Sequence, residues 1–380
     1  MVERDIFIDY QSTTPVDPRV LEAMLPYFTT MFGNPHSSEH RFGFQAQQGV
    51  DRALDDIGQV IGASGSEIIL TSGATESNNL ALRGSIPVRV KSHLISCVTE
   101  HSSVLSTLSA LEQGTCSVTL LPVGQDGLID LEELAASITP ATRVVSLMAV
   151  NSEIGVIQPF ADVGSICRDR GLLFHVDAAQ AYGRIPIDVR RQHIDMLSVS
   201  AHKIYGPKGI GALYLNDRAR QVLRPQITGG KQQDSLRAGT VPVPLAVGFA
   251  AAARLMTAEE EADGHRIAIL AGRLWTGLTA RLAGVHLNGS AIHRYLGNLN
   301  LRFEGADADS LLLMLPEIAM STGSACSSGT PEPSPVLRAL GLSKQQASES
   351  LRLGLGRMST EEEVDHVVDR LTWAVGQLRA

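Results

Sequence analysis

The sequence has little of the material from which disulfide scaffolds and zinc sites are built. Only 4% of its 380 residues are aromatic, and it contains four cysteines. Cys97, Cys116, Cys167 and Cys326 lie far apart and form no C-x-x-C pair, which argues against a zinc site and against a small disulfide framework. We therefore expect reduced thiols in a reducing compartment and no bound metal.

Long apolar runs and runs of like charge are missing as well. The N-terminus, MVERDIFIDY, carries acidic residues and lacks a signal-peptide stretch, and Pro242 and Pro244 interrupt the apolar window VPVPLAVGFAAAARLM. The net charge of −8, from 32 basic and 40 acidic residues, is spread along the chain. These absences predict a cytoplasmic protein that binds neither membranes nor nucleic acid directly.

Short apolar runs alternate with helix-like stretches through the first half of the chain. Seven such runs follow one another: EIILTS, HLISCV, SVTLLPV, RVVSLMAV, LLFHVDA, DMLSVS and IGALYL. This alternation predicts an α/β fold with a mainly parallel, helix-covered sheet. In such sheets ligands bind at the carboxyl ends of the strands. Several of these runs end in polar residues, so those residues are expected to lie where a ligand would bind.

The pattern changes after Tyr214. An irregular segment, TGGKQQDSLRAGTVPVP, precedes a long helical stretch from about Leu245 to Leu282, and a second domain is expected to begin within it near residue 258. Further on, GNLNLRFEG is typical of a strand, ADSLLLMLPEI is typical of a helix, and residues 359–363 predict a capped helix start.

Lys203 is the most informative single residue. In SVSAHKIYGPKGIGALY it follows Ser200 and His202 at a predicted strand end and precedes a glycine-rich turn. Lysine amines form Schiff bases with carbonyl cofactors, and the neighbouring hydroxyl and imidazole could hold a phosphate. Taken alone, the pattern also fits a solvated loop lysine.

Asp177, in LLFHVDAAQAYG, ends another apolar strand. A carboxylate is costly to bury there unless it pairs with a cation, and a protonated pyridine nitrogen is such a cation. A lysine amine and a carboxylate that pairs with the ring nitrogen are the two groups that pyridoxal 5′-phosphate (PLP) requires. A helix N-cap is the alternative for Asp177 by itself, but it does not explain the lysine.

Two further strand ends carry polar motifs. TSGATESNN, residues 71–79, opens a helix whose backbone N–H groups could cradle a phosphate, with Thr75 as a hydroxyl donor. This turn lacks both G-x-G-x-x-G and G-x-x-x-x-G-K-[ST], so a dinucleotide or ATP site has no support there. In VTEHSSV, His101 could lie on the cofactor ring and move protons. Helix capping and a structural histidine are the respective alternatives.

Several motifs in order resemble one family. SAHKIYGPKGIGALY, TSGATESNN, TEHSSV, NSEIGVIQP, HVDAAQ, LRAGT and STGSACSSGTPEPSPVLRALG with LRLGLGR resemble the PLP-dependent cysteine desulfurases of the NifS/IscS type, a group I branch of the class-V aminotransferases. The resemblance runs nearly end to end, beginning with IDYQSTTPVDPRV and GNPHSSEHRFG.

The resemblance implies an aspartate-aminotransferase-like PLP fold of type I and a homodimer. Residues 14–257 would form the large PLP-binding domain, with a seven-stranded sheet. Residues 1–13 and 258–380 would form the smaller α/β domain. The implied reaction converts L-cysteine to L-alanine, leaves the sulfur on the enzyme as a persulfide and passes it to an acceptor protein.

Site residues carry over motif by motif. For the PLP ring, the resemblance implies Lys203 as Schiff-base lysine, Asp177 as nitrogen partner, Gln180 as donor to the ring oxygen and His101 stacked on the ring. For the phosphate it implies Ala74, Thr75, Ser200 and His202, with Thr240 reaching in from the other subunit. Asn151 and Arg352 would bind the substrate carboxylate, and Cys326 would take the sulfur.

Cys326 lies among small and hydroxylated residues, in STGSACSSGTPEPS. A thiol that attacks substrate sulfur and then delivers a persulfide needs a mobile, accessible carrier, and Gly323 and Gly329 suit one. Attack requires the thiolate, and His101 is the candidate to take its proton. We expect structural roles for the other three cysteines.

One stretch departs from the family pattern. Where a GGGQE-like run is expected before LR-[SA]-GT, the chain has ITGGKQQDSLRAGT, so Lys231 and Gln233 replace a glycine and an acidic residue near the expected subunit boundary. The cofactor residues are unaffected, and the effect on dimer contacts stays open.

Two other functions remain open at this point. A related type I PLP aminotransferase or lyase would make Cys326 incidental, and a non-catalytic scaffold would serve a sulfur-transfer complex without chemistry of its own. The acceptor also stays open among iron–sulfur cluster assembly, tRNA thiolation, molybdenum-cofactor maturation and DNA phosphorothioation, as does selenocysteine as a substrate.

Overall fold

A seven-stranded sheet organises the first half of the chain. The computed structural model describes residues 5–87, 89–322 and 334–380. In chain order the first strands are β1 (Ile6–Phe7), β2 (Ile68–Thr71), β3 (Ser92–Cys97), β4 (Cys116–Leu121), β5 (Thr142–Met148), β6 (Leu173–Asp177), β7 (Met196–Ser200) and β8 (Gly211–Leu215). The sheet has the order β2-β8-β7-β6-β5-β3-β4, and only β8 runs antiparallel to its neighbours. The prediction of a mainly parallel α/β sheet is confirmed, and each of the seven apolar runs forms a strand.

Helices alternate with these strands. They are α1 (Pro18–Met24), α2 (Pro26–Thr29), α3 (Arg41–Gln59), α4 (Ala74–Gly84), α5 (Ser102–Glu112), α6 (Leu131–Ser137), α7 (Phe160–Asp169), α8 (Asp217–Val222) and α9 (Val243–Arg281). One apolar core joins one face of the sheet to α3, α7 and the first half of α9, and a second joins the other face to α4 and α5. No helix in the described part of the chain is long and apolar enough to cross a membrane.

The strand ends that carry polar residues meet at one edge of the sheet. Thr71 and Ser200, the last residues of β2 and β7, both lie opposite Gly211 at the start of β8. β6 pairs with β7 in parallel, so Asp177 faces the same edge. The topology therefore brings the ends of non-consecutive strands together, as the open-sheet rule predicts.

A separate apolar core lies in the C-terminal part of the chain. It combines Ile6 and Ile8 with the second half of α9 and with elements further on. These are β9 (Val285–Leu287), β10 (Asn298–Phe303), α10 (Ala308–Met314), β11 (Ile318–Ala319), α11 (Pro335–Ala339), α12 (Lys344–Ser348), β12 (Ser350–Gly354) and α13 (Glu361–Arg379). β12, β10 and β9 form a sheet in that order. The division at residues 257 and 258 stays a prediction, and α9 runs through it without a break.

The start of α13 shows how local sequence sets these boundaries. The Thr360 hydroxyl accepts a hydrogen bond from the Glu363 N–H at 3.2 Å, and the Glu363 carboxylate accepts one from the Thr360 N–H at 3.0 Å. This reciprocal capping box satisfies two N–H groups that the helix cannot pair. The capped start predicted over residues 359–363 is present.

The segment that departs from the family pattern is anchored to an edge strand. Gln233 Oε1 accepts a hydrogen bond from the Leu70 N–H at 2.6 Å, and Gln233 Nε2 donates to the Leu70 carbonyl at 3.0 Å. Because β2 is an edge of the sheet, this amide pairs with backbone groups as a further strand would. A carboxylate could not donate to the Leu70 carbonyl. Gln233 therefore has a structural role within its own chain.

Candidate active site

The turn between β2 and α4 has the features of an anion-binding site. Gly73 has φ 152° and provides no side-chain cap for α4, so the first-turn N–H groups at Ala74 and Thr75 are left for another acceptor. A Cβ on Gly73 would lie 3.7 Å from the Ser200 hydroxyl, which places that hydroxyl beside the turn. A Cβ on Gly211 would come within 2.6 Å of the Gly73 Cα, so this close approach requires glycine. The structure thus brings Ala74, Thr75 and Ser200 together.

Lys203 and His202 are held by an N-terminal segment to which sequence reasoning gave no role. Lys203 Nζ donates to the backbone carbonyls of Gln11 and Ser12, at 2.5 and 2.7 Å. His202 Nδ1 lies 3.0 Å from the Thr13 hydroxyl. Burial, with the Lys203 charge as a second cause, lowers the pKa of His202 to about 4, so its imidazole is neutral at pH 7. A neutral imidazole can donate one N–H to a phosphate.

Asp177 is a buried carboxylate at the end of β6. Its Oδ2 accepts a hydrogen bond from Asn78 Nδ2 at 2.7 Å, and its Oδ1 accepts one from the Ala179 N–H at 2.9 Å. Only 6% of the residue is exposed, and within the described ranges it takes part in no ion pair. A carboxylate held in this way suits a cation brought by a ligand, because burial without one is costly.

His101 and its neighbour Glu100 follow β3. His101 caps α5 by accepting a hydrogen bond at Nδ1 from the Ser103 N–H, at 3.1 Å, and its side chain faces solvent in the single chain. Glu100 is buried and accepts a hydrogen bond from the Met148 N–H at 2.5 Å. Burial and the nearby Asp177 charge raise the pKa of Glu100 well above its usual range. The raised pKa favours the neutral form of the Glu100 side chain beside Asp177.

Arg352 lies on β12 and reaches the sheet edge from the C-terminal core. Its Nη2 donates to Asp9 Oδ1 at 2.6 Å and its Nη1 donates to the Ser152 carbonyl at 3.1 Å. Its Nε is buried and has no hydrogen-bond partner among the described residues. A substrate carboxylate could accept two parallel hydrogen bonds along this edge of the guanidinium, one from Nε–H and one from the second Nη2 hydrogen. Sequence reasoning missed Asp9, which is far from Arg352 in the chain.

Asn151 and Gln180 are present but already bonded. Asn151 Oδ1 accepts hydrogen bonds from the N–H groups of Glu153 and Ile154. Its Nδ2 donates one hydrogen bond to the Thr99 carbonyl at 2.9 Å and a second to Met148 Sδ. Gln180 Nε2 donates to the Gln11 carbonyl at 2.8 Å, which leaves one amide hydrogen for a ring oxygen. The structure thus gives Asn151 a role in holding the 151–154 turn, and its predicted contact with substrate stays a prediction.

The predicted sulfur carrier, Cys326, lies in residues 323–333, outside the described residues. The residues that flank this segment are close to the arginine site. Ser321 exchanges two backbone hydrogen bonds with Arg352, at 2.6 and 3.3 Å, and Ser334, on the other side of the segment, lies close enough to Glu153 to lower its pKa. Thr240 is exposed in the single chain. Its predicted role, as a residue that completes the other subunit's site, stays a prediction.

Comparison with known proteins identifies the family. The Aminotransferase class-V family model matches residues 6–367. Cysteine desulfurase IscS of Rickettsia typhi (strain ATCC VR-144 / Wilmington) is 49% identical over 376 residues, which span 98% of this chain and 92% of that protein. The chain belongs to the cysteine desulfurases of the class-V aminotransferase family.

Solved structures support this assignment. A NifS-like protein aligns with this desulfurase at a TM-score of 0.91 and 33% identity, over 98% of this chain and 100% of that one. SspA in complex with cysteine aligns at a TM-score of 0.84 and 36% identity, over 93% of this chain and 100% of that one. The predictions of a PLP fold of type I and of PLP as cofactor are confirmed.

The described residues of this desulfurase fit PLP. When bound, PLP supplies an aldehyde that reacts with amines and a pyridinium ring that accepts electron density. Asp177 would hold the protonated ring nitrogen, the uncapped start of α4 would bind the phosphate, and Lys203 would supply the amine. No group of three or more His, Cys, Asp or Glu among the described residues could hold a metal ion.

Glu153 is a buried acid that sequence reasoning did not select. It is 4% exposed, and its Oε1 has no hydrogen-bond partner among the described residues. Burial raises the pKa of Glu153 to about 7, against the opposing effects of the Ser334 hydrogen bond and the Arg352 charge. Because the folded-state pKa is raised, the proton on Glu153 favours folding at low pH. That contribution is lost as the pH rises through about 7.

We expect Glu153→Gln to remove this dependence, because an amide stays neutral at every pH. The free energy of unfolding of Glu153→Gln minus that of wild type should be about 2 kcal/mol larger at pH 8 than at pH 5. Urea unfolding of the PLP-loaded proteins measures it, with Glu112→Gln, an exposed glutamate at the end of α5, as the control. An equal difference from wild type at both pH values would show that Glu153 does not titrate in the folded protein.

Proposed function

We propose that this PLP-dependent cysteine desulfurase moves the sulfur of L-cysteine to Cys326 as a persulfide and then to an acceptor protein. The observation that carries the proposal is the state of the other three cysteines. Burial raises the pKa of the Cys97 thiol to about 11 and that of the Cys167 thiol to about 12, and it also raises the pKa of Cys116. All three are therefore protonated thiols, which are poor nucleophiles. Cys326 is the cysteine that remains.

The arginine site supports an amino acid substrate. Arg352 offers a buried Nε that has no partner among residues 5–87, 89–322 and 334–380, and its Nη2 is oriented by Asp9 at 2.6 Å. A carboxylate is the group that satisfies a guanidinium edge in two parallel hydrogen bonds. The segment that carries Cys326 begins next to Ser321, which is bonded to the Arg352 backbone. Substrate bound at Arg352 would therefore lie near the start of the carrier segment.

The transfer step balances with the residues of the chain. The Cys326 thiolate attacks the substrate sulfur and forms an S–S bond, while the bond between that sulfur and its carbon breaks. The electron pair of the broken bond remains with the carbon, which is protonated and leaves as alanine. His101 accepts a hydrogen bond at Nδ1 from the Ser103 N–H, so it is the candidate to donate a proton from Nε2 to that carbon.

The persulfide then needs a thiol acceptor. The family resemblance implies a protein acceptor that serves iron–sulfur assembly, tRNA thiolation or DNA phosphorothioation. None of these requires nucleic-acid binding by this chain, whose net charge is −8. An acceptor that carries the sulfur onward suits that charge.

Cys326→Ala should bind PLP as wild type does and release no alanine or sulfide from L-cysteine in the presence of a reductant. The reason is that the remaining thiols are protonated and cannot take the sulfur. Cys116→Ala, on half-buried β4, is the matched control and should keep wild-type rates. Alanine formed by Cys326→Ala at the wild-type rate would contradict the persulfide route and favour an aminotransferase or lyase.

We propose further that the enzyme is a homodimer whose contact includes an apolar patch near the N-terminus. The patch consists of large apolar side chains that are at least half exposed: Leu21, Leu25, Phe28, Phe32, Phe42 and Phe44. The rings of Phe32 and Phe42 lie 5.5 Å apart, so these side chains cluster across α1 to α3. An exposed apolar patch of this kind is typical of a protein interface.

Sedimentation velocity tests this contact. Wild type should sediment at twice the chain mass of 40.6 kDa, and Phe28→Asp/Phe32→Asp should shift the protein toward the monomer, because the interface would then bury two charges. Leu313→Asp, at an isolated position on α10 that is 83% exposed, is the control and should remain dimeric. A wild-type monomer, or a double variant that dimerises normally, would contradict the assignment of the patch.

A further inference from the structure

A continuous hydrogen-bonded path joins the residue expected on the face of the cofactor ring to the residue expected at the ring nitrogen. His101 Nδ1 lies 2.8 Å from the Ser103 hydroxyl oxygen. That oxygen accepts a hydrogen bond from Asn78 Nδ2 at 2.8 Å, and the same Nδ2 donates to Asp177 Oδ2 at 2.7 Å. The path therefore runs His101–Ser103–Asn78–Asp177.

The other contacts of these residues determine which group donates in each hydrogen bond of the path. The Ser103 N–H also donates to His101 Nδ1, at 3.1 Å, so Nδ1 carries a lone pair. In a neutral imidazole the proton is then on Nε2. Asn78 uses one amide hydrogen on Asp177 and the other on Ser103, and the Ser103 hydroxyl hydrogen is left to point at Nδ1. With the amide reversed, Asn78 Oδ1 would face the Asp177 carboxylate, which repels it.

Three secondary-structure elements fix the path in place. Asn78 is on α4 and has no exposed surface, while Ser103 on α5 and Asp177 on β6 are 8% and 6% exposed. Buried hydrogen bonds of this kind constrain geometry because a broken one leaves an unsatisfied polar group. α4 is also the helix whose uncapped start faces the phosphate site. A ligand that seats there would therefore meet Asp177 and His101 in a fixed arrangement.

We propose that Asn78 and Ser103 are positioning residues that hold His101 with its proton on Nε2 and fix its ring relative to Asp177. This inference rests on the proposed function, in which His101 donates a proton from Nε2 in the transfer step. Ser103 does not touch the reacting atoms in this account, and it acts through His101. Its loss should therefore slow turnover more than it weakens substrate binding.

Ser103→Ala is the decisive variant. It removes the hydroxyl and keeps the backbone N–H that donates to the capping His101 Nδ1, so the helix start should survive. We expect kcat for alanine release to fall about tenfold with KM within about twofold, the effect of one lost hydrogen bond at a positioned group. The visible circular dichroism of bound PLP, recorded without substrate, should change, because the ring contact with His101 is less constrained. Ser109→Ala, an exposed serine on the same helix, should match wild type in both measurements.

Asn78→Ala and the double variant Asn78→Ala/Ser103→Ala test whether the two residues form one path. If they do, the double variant should lose no more kcat than Asn78→Ala alone. If the fold losses in kcat of the two single variants multiply in the double variant, the two residues do not form one path. If Asn78→Ala fails to fold, Ser103→Ala decides alone.

The outcomes separate this inference from the proposed function. Wild-type kcat and an unchanged dichroism band in Ser103→Ala would overturn the inference, as would a rise in KM with kcat preserved. Failure of the wild-type protein to release alanine from L-cysteine would instead contradict the proposed function. The dichroism comparison of the PLP-loaded proteins would still decide whether Ser103 positions the ring contact.

Discussion

The active-site edge of this desulfurase is arranged around one buried negative charge. Asp177 ends β6 with 6% exposure, and both carboxylate oxygens are held by N–H donors, at 2.7 and 2.9 Å. Those donors add no positive charge, and in the described ranges no cationic side chain pairs with Asp177. Burial and the Asp177 charge raise the pKa of nearby Glu100, which favours the neutral form of that side chain. The site is in this sense complete only with a cation supplied by a ligand, which the protonated PLP ring provides.

The N-terminal segment connects this charge to the substrate side. Asp9 orients Arg352, and the next residues supply carbonyls to Lys203 and a hydroxyl to His202. Ile6 and Ile8 lie in the C-terminal core, and Tyr10 lies in the core of the sheet. A segment of a few residues thus crosses from one core to the other and contacts the groups that would hold cofactor and substrate. A shift of either core would be felt at Lys203 and Arg352 together.

Much of this arrangement could be predicted from sequence because its signals are local. The strands are β-branched apolar runs, and Asp177, Ser200 and Lys203 lie where those runs stop, which a reader of the chain can see directly. Asp9 could not be found in this way, because its ion pair spans most of the chain. Gln11 acts through a backbone carbonyl, which every residue has, so its side chain carries no signal.

Other features were beyond sequence reasoning for different physical reasons. The raised pKa of Glu153 depends on burial, which the motif NSEIG does not reveal. Gln233 looked like a change at a subunit boundary, but its side chain pairs with the Leu70 backbone at the sheet edge, a contact set by the loop conformation. For Cys326 the evidence is of another kind, since the sequence around it and the burial of the other cysteines both favour it as the carrier.

PLP chemistry at this sheet edge requires Lys203 to be the lysine that binds the cofactor. Borohydride reduction of the PLP-loaded protein, followed by peptide mass spectrometry, fixes the cofactor to whichever amine it occupies. We expect a phosphopyridoxyl group on Lys203 and none on Lys208, which lies five positions further along the same segment. A label on Lys208 or Lys231, or no label in a protein that retains PLP, would contradict it.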